Sequence, residues 1–278
     1  TPNRIATYHF GPALNMATLR SLQATLLSEV VAAKAAAAAE NYFSRLAAAG
    51  DTTHVAYKQP LTNYISSLVA LGGAYWDDMV SSCSYVGVGI QGITVPLREG
   101  MTVDTNVNNN FVAGDLNQLT GLKSDGSTKW IKTGAFENDM TLNDISFSVY
   151  ISENVTNGGT QAYIASNADR ILWNANTIIN RNRNTANGDL LAIANANSFL
   201  GCSRSNSANF DNRINGTNVN LTYVSQSVGT TEFGVFARSD GLQKLGSAGR
   251  LATYHVGPAL DLATLEGLQD TLITEIAA

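Results

Sequence analysis

The spacing of apolar residues predicts helices in the first third of the chain. Over residues 14–49, apolar positions recur three or four apart and then give way to an alanine-rich run, which is typical of one long helix ending at Gly50. Residues 60–73 predict a second helix with one apolar face, formed by Leu61, Tyr64, Ile65 and Leu68. A third helix is predicted over residues 75–82.

From residue 85 onward the hydrophobic period drops to two, and Gly, Asn and Asp separate the short segments. Seven or more such strands, about ten residues apart, predict an antiparallel β-sandwich. The expected strands are YVGVGI, TKWIKT, ISFSVYIS, QAYIAS, DNRINGTNVNLTYVS, TEFGVFARS and RLATYHV. The aromatic residues expected to close the sheet faces are Trp130, Phe147, Tyr150, Tyr163, Trp173, Phe210, Tyr223, Phe233 and Phe236.

The two ends of the chain are copies of one another. Residues 4–29 and 250–275 are identical at 17 of 26 positions, and each combines a strand-like segment, Gly-Pro and an amphipathic helix. Asn15 in the first copy corresponds to Asp261 in the second, and both residue types are good N-caps. The matched apolar positions are Met16, Leu19, Leu22, Leu26 and Val30 in the first copy, and Leu262, Leu265, Leu268, Leu272 and Ile276 in the second.

The copies begin at residues 4 and 250, which are 246 residues apart, and this period predicts a protein built from modules. We expect the first copy either to close a domain whose body lies upstream or to dock on another subunit. The predicted divisions are residues 1–50 (connector), 51–84 (helical preface) and 85–278 (sandwich with terminal helix). The long helix, about 50 Å at 1.5 Å per residue, fits a dimeric or trimeric bundle, or a position along its own domain.

Composition and charge exclude several classes of protein. The formal net charge is −5 and the 17 Lys and Arg residues are scattered, so a nucleic-acid-binding surface is not expected. No run of 18 apolar residues occurs, and we expect no membrane insertion.

Cys83 and Cys202 match no metal-binding spacing; buried free thiols are favoured over a disulfide. A start at Thr1 suggests a processed protein or a slice of a longer one.

Enzyme and cofactor signatures are weak. A two-carboxylate strand of the kind used by glycosidases is approached only at Glu137-Asn138-Asp139, and GxSxG, HExxH and P-loop motifs do not occur. His9 and His255 are equivalent in the repeat, which favours a structural role for both. Asp115 and Asp125 are oxygen donors but lack calcium-loop spacing. We therefore expect no catalysis, no cofactor and no metal.

Several segments together carry a resemblance to a known family. They are YISSLVALGGAYWDDMVSSC, NNNFVAGDLNQLTGLKSDGSTKWIKTG, SFSVYIS, FLGCSRSNSANFDNRING, FGVFARS and RLATYHVGPALDLATLEGLQDTLITEI. Over roughly residues 55–278 the chain resembles the concanavalin A-like (laminin-G-like) jelly-roll domains of bacteriophage tail fibres and other virion structural proteins. The resemblance implies an antiparallel β-sandwich, a role in the virion and, in many cases, binding of host-surface glycans. It supplies no catalytic residues.

An asparagine-rich stretch is the best candidate for binding. Residues 167–220 contain 15 asparagines, whose amides match sugar hydroxyls, and neighbouring aromatic side chains can stack on a pyranose ring. The alternative is that the asparagines serve turns, because asparagine adopts left-handed backbone angles and forms Asx-turns. The candidate glycan-binding residues, expected in exposed loops at the sandwich end, are Trp173, Asn174, Asn176, Asn182, Asn184, Phe210 and Asn212.

Two functions from different classes follow from these patterns. The first is a virion structural protein, such as a tail fibre, spike or decoration, whose partners are further copies in a dimer or trimer or other virion proteins. The second is a carbohydrate-binding module of a polysaccharide-processing protein. Host-surface polysaccharide is an expected partner in either case, and a polysaccharide-cleaving enzyme is a weaker third hypothesis.

Overall fold

The computed structural model describes residues 15–100, 106–153, 160–174, 177–184, 188–192, 198–238 and 249–278; for residues 160, 161, 173, 174, 188–192 and 198 only the backbone is described. The helices are α1 (Met16–Ala48), α2 (Lys58–Leu71) and α3 (Leu262–Ala277). Two antiparallel sheets form the body between α2 and α3. The predicted class, mainly β with a helical N-terminal part and a closing strand and helix, is confirmed.

The described strands form two sheets. In one, the order is β13-β12-β11-β6-β15-β4-β3, with β1 also paired to β15; in the other it is β10-β9-β8-β7-β14-β5-β2. Their bounds are β1 Ser81–Ser84, β2 Val107–Asn109, β3 Leu116–Asn117, β4 Gly121–Lys123, β5 Trp130–Phe136, β6 Ile145–Glu153, β7 Thr160–Ala165, β8 Arg170–Asn174, β9 Thr177–Arg181, β10 Gly188–Ala192, β11 Ser198–Arg204, β12 Phe210–Ile214, β13 Thr217–Leu221, β14 Glu232–Val235 and β15 Arg250–Gly257.

The main hydrophobic core lies between the two sheets. Phe147 on β6 and Phe233 on β14 meet there with ring centroids 5.5 Å apart. Of the aromatic residues predicted to close the sheets, Phe147, Tyr163, Phe210, Phe233 and Phe236 are buried, and Trp130, Tyr150 and Tyr223 are partly buried against the core. The same cluster includes Leu46 and Leu61. The divisions predicted at residues 50 and 84 stay predictions.

Strand β15 lies inside its sheet rather than at an edge. On one side it pairs with β6 along its length, and on the other with β4 at its start and with β1 over Thr253–Val256. At Gly121 on β4, an added Cβ would lie 2.0 Å from the Leu251 carbonyl oxygen, so only glycine permits this approach. The last strand in sequence therefore joins β6 to β1 and β4.

Helix α3 packs against α2 and against strands β11 and β12 of the same sheet. Asp261 caps it by accepting hydrogen bonds from the backbone N–H groups of Ala263 (3.1 Å) and Thr264 (3.3 Å). Its buried apolar side chains are Leu262, Leu265, Leu272 and Ile276. At its end Asn63 of α2 donates to Glu275 at 2.9 Å.

Helix α1 has two halves with different surroundings. Asn15 caps its start by accepting from the Ala17 N–H at 2.9 Å, as predicted. Its buried side chains all lie in the second half: Ala35, Ala39, Tyr42, Phe43 and Leu46. By length and composition alone α1 could cross a membrane, a criterion that buried core helices and signal sequences also meet. The expectation of no membrane insertion stays a prediction.

Two predicted elements are wrong. The predicted helix over residues 75–82 does not form: a 3-10 turn ends at Tyr75, a turn follows over residues 76–78, and β1 begins at Ser81. The reason is that Gly72 (φ +60°) turns the chain and residues 81–84 pair with β15. The segment YVGVGI is a buried loop whose described backbone hydrogen bonds run from Tyr85 N to Ala252 O and from Gly87 N to Gln118 O. Cys83 and Cys202 are buried free thiols, as favoured from the sequence.

Equivalent leucines in the two repeats should respond differently to truncation. Leu272 is 1% exposed, whereas its counterpart Leu26 is 46% exposed. Leu272→Ala should lower the free energy of unfolding by about 2–5 kcal/mol, because it leaves a cavity. Leu26→Ala should change it by less than about 0.5 kcal/mol. Urea denaturation of both variants checks this, and equal losses would contradict it.

The buried His255 on β15 predicts acid destabilisation. Burial lowers its pKa from 6.5 to about 4, so between these values the unfolded chain binds a proton that the folded chain does not. Stability should therefore fall as the pH drops through this window, with a contribution from His255 of about 3 kcal/mol. His255→Gln should flatten the dependence of unfolding free energy on pH between 6.5 and 4; coincident slopes would contradict this.

Candidate functional site

Four of the seven predicted glycan-binding residues are buried: Asn182, Asn184, Phe210 and Asn212. The expected exposure is wrong for these four. Phe210 and Asn212 are buried because they lie on strand β12, whereas Asn182 and Asn184 lie in the bend that follows β9 and are buried there. Trp173 and Asn174 lie on β8, where their backbones pair with Ile178 and Thr177, and their side chains are outside the description. Asn176 lies outside the described residues. A sugar-binding role for these three stays a prediction.

The buried asparagines connect the two sheets. Asn212 on β12 accepts hydrogen bonds through Oδ1 from Asn180 Nδ2 on β9 (2.9 Å) and from Cys202 Sγ (2.9 Å). Asn184 Oδ1 accepts from the Asn182 N–H at 2.9 Å. Buried polar groups are costly unless paired, so these contacts stabilise one arrangement of the segment.

Two arginines complete this internal network. The Arg204 guanidinium lies over the Phe210 ring, 5.1 Å from its centroid, and donates to the Asn182 carbonyl oxygen at 2.8 and 3.0 Å. The Arg183 guanidinium lies 3.0 Å from the Asp169 carboxylate, and both side chains are fully buried. A cation therefore occupies the ring face on which a sugar was expected to stack.

A second arrangement of arginines reaches the surface of the seven-stranded sheet. Arg170 on β8 is paired in register with Arg181 on β9 and with Ala165 on β7, and Ala165 forms a bridge with Arg238. Directly paired residues project from the same face of a sheet. Arg181, Arg170 and Arg238 therefore form a line across the sheet, with the small Ala165 between the last two. We call these three residues the arginine row.

The arginine row concentrates positive charge at a partly exposed position. All three side chains are half-buried. Burial, and then the charges of Arg181 and Arg238, lower the pKa of Arg170 to about 10. The Arg170 Nε has no hydrogen-bond partner among the described residues. A carboxylate or sulfate placed here would offset the repulsion and accept paired N–H bonds from a guanidinium.

The face that carries the arginine row is opposite the main core. Ile171 and Ile178 on β8 and β9 belong to the core between the sheets, whereas Ala162, Ala165, Leu172 and Ile179 form a separate buried cluster. Arg170 and Arg181 lie two residues from Leu172 and Ile179, on the same side of their strands. The row thus adjoins a covered apolar cluster, where electrostatic interactions are stronger than in water.

Sequence reasoning missed the arginine row although a signal was present. RILWN and TIINR are separated by two residues, which is a hairpin spacing, and this hairpin register places Arg170 opposite Arg181. The asparagines drew the segment toward a loop prediction instead. Arg238 joins the row through tertiary structure, which no local pattern reveals.

Other candidate sites are small or already occupied. A polar cleft of about 60 Å³ at the start of α3 has room for about two waters and is lined by Asp211, Asn218, Leu260, Asp261 and Leu262. Asp125 accepts hydrogen bonds from the N–H groups of Ser127 and Thr128, and Asp115 pairs with Lys129. Within the described ranges, no three His, Cys, Asp or Glu residues are grouped as metal ligands.

Comparisons with known proteins establish the fold alone. No protein-family model and no curated protein matches the sequence. A Trypanosoma rangeli sialidase solved with sialic acid matches at TM-score 0.50 and 11% identity; the match covers 70% of this chain and 33%, about a third, of the sialidase. Domain 4 of the Geobacillus stearothermophilus GH43 arabinanase AbnA, solved with arabinotriose, matches at 0.47 and 10%, covering 69% and 98%. The sialidase match supports the β-sandwich fold.

If Asn212 is structural, its loss should destabilise the protein. Asn212→Ala removes the acceptor for the buried Asn180 amide, at a cost of about 1–3 kcal/mol in unfolding free energy. The control is Asn220→Ala on the adjacent strand, where an exposed amide donates to Asp211; it should cost less than about 0.5 kcal/mol. Chemical denaturation measures both, and a neutral Asn212→Ala would contradict the structural role.

Proposed function

We propose that this chain is a non-catalytic glycan-binding β-sandwich whose ligand is an anionic polysaccharide held by the arginine row. The observation that carries the proposal is the alignment of Arg170, Arg181 and Arg238 across one face of the sheet. A sheet holds the backbone positions of the three arginines at fixed spacing, so no backbone ordering is needed on binding. A carboxylate of the polysaccharide would accept paired N–H bonds from the Arg170 guanidinium, within the positive charge of the row.

The overall charge makes this binding selective. Because the chain carries a formal net charge of −5, a polyanion gains no general attraction to the protein. Binding of an anionic glycan would therefore report the local row. The sialidase that shares the fold was solved with sialic acid, but a likeness at 11% identity supports the fold only; the arginines carry the ligand assignment.

The second part of the proposal concerns the kind of protein to which this sandwich belongs and its location. The resemblance to bacteriophage fibre domains supports a virion structural protein, located on the particle, that displays the sandwich to host-surface polysaccharide. The exposed half of α1 offers an apolar surface for assembly with other virion proteins. A carbohydrate-binding module of a polysaccharide-processing protein would use the same site and is the second candidate.

Polygalacturonate, which carries a carboxylate on each sugar, tests the proposal. The protein should bind it in isothermal titration at low salt and lose affinity as salt is raised, while neutral dextran should not bind. Arg170→Met should weaken binding about tenfold or more, the effect of losing one charge-assisted pair.

Arg20→Met, which removes an exposed arginine of α1, is the matched control and should leave binding unchanged. Equal losses in the two variants, or no binding of polygalacturonate by the wild-type chain, would contradict the proposal. Urea denaturation confirms that each variant is folded.

A further inference from the structure

The two repeat helices have matching apolar positions, but these positions are buried in α3 and exposed in α1. In α3, Leu262, Leu265, Leu272 and Ile276 are at most 4% exposed. In α1, the stripe at the corresponding positions faces solvent: Met16 is 59% exposed, Leu22 61%, Leu26 46% and Val30 56%. We call these four residues, with the half-buried Leu19, the N-terminal stripe. An apolar face of this size at fixed helical spacing is typical of an interface.

The correspondence extends to polar positions that α3 uses for docking. Gln269, which is 0% exposed, is matched by Gln23. Glu275, which accepts a hydrogen bond from Asn63 of α2, is matched by Glu29. The first half of α1 therefore has the side chains that fit the surface covered by α3, formed by α2, β11 and β12, which we call the α3 cradle.

One position differs in a way that identifies the partner. Glu266 of α3 pairs with Arg213 on β12 and accepts the Gly216 N–H at 2.9 Å. The corresponding residue of α1 is Arg20. Placed in the cradle of a second copy of this chain, Arg20 would face Arg213, and two like charges there would be unfavourable. The cradle of such a copy is also filled by its own α3.

We infer that residues 16–30 are the closing helix of a second, related β-sandwich domain that carries an acidic residue at the position of Arg213. They occupy the α3 cradle of that domain, where Arg20 pairs with the carboxylate. Residues 35–46 of the same helix pack on the sandwich described here. Helix α1 is thus shared between two sandwiches, and the centres of its two packing segments lie about 26 Å apart, the length of about 17 helical residues. The inference is independent of glycan binding.

A membrane is a less fitting partner for the N-terminal stripe. The same helix surface carries Arg20, Gln23 and Glu29 at positions whose equivalents in α3 contact protein. Charged side chains are costly in a hydrocarbon core but can be paired in a protein interface. The sequence identity with a helix that covers a protein surface also favours a protein partner.

A graft in the full chain tests whether the start of α1 fits an α3 cradle of complementary charge. Residues 261–276 are replaced by the sequence of residues 15–30, which changes eight residues and preserves every shared position. The graft alone should lower the melting temperature by about 10 °C, because the introduced arginine faces Arg213. Adding Arg213→Glu should recover more than half of this loss. A control protein that carries the graft, Arg213→Glu and Leu265→Asp should not recover the lost melting temperature.

A graft that Arg213→Glu fails to rescue, or that melts like its Leu265→Asp control, would overturn the inference. Two further measurements on the full chain test the two other partners that the N-terminal stripe could have, a second copy of the chain and a membrane. Light scattering should show a monomer. A dimer that is lost in Leu26→Asp but kept in the control Ala24→Asp, which lies at the position of Asp270, would identify a second copy as the partner and overturn the inference. Flotation with phosphatidylcholine vesicles should recover no protein; flotation lost in Leu26→Asp would identify a membrane and overturn the inference.

Discussion

The insertion of β15 between β6 on one side and β1 and β4 on the other is the interaction on which the rest of the structure depends. It joins residues far apart in sequence: the Tyr254 hydroxyl lies 2.8 Å from that of Ser81. The sheet and its core are complete only with this last strand and α3 in place, and most native contacts join residues far apart in sequence. We call β15 and α3 together the closing element.

The C-terminal copy of the repeat is the strand-and-helix unit that completes this sheet. The same strand-and-helix sequence stands at both ends of the chain, and its helix is buried at one end and exposed at the other. Shared caps, stripe and buried glutamine indicate one docking surface, while the change from Glu266 to Arg20 makes the partners distinct. Exchange of closing elements between related domains would connect them without flexible linkers, as the continuous helix α1 already does on one side.

How far the sequence could predict the structure depended on whether local pattern and tertiary role agreed. Helix α1, its Asn15 cap and strands β6 and β15 follow from periodicity and capping chemistry. The asparagine-rich segment did not, because asparagine favours turns locally, whereas here Asn180 and Asn212 bond across the sandwich. The arginine row was also missed, since Arg238 reaches Arg170 only through the order of strands in the sheet.

Amide hydrogen exchange of the full chain, read by mass spectrometry, tests the central claim most directly, because it reports how firmly each repeat helix is held. The account predicts that amides of residues 262–277 are as protected as those of β6, and that amides of residues 16–30 exchange orders of magnitude faster than both. Equal protection of the two helices would show that the first copy already has its partner within the chain, and would contradict the account.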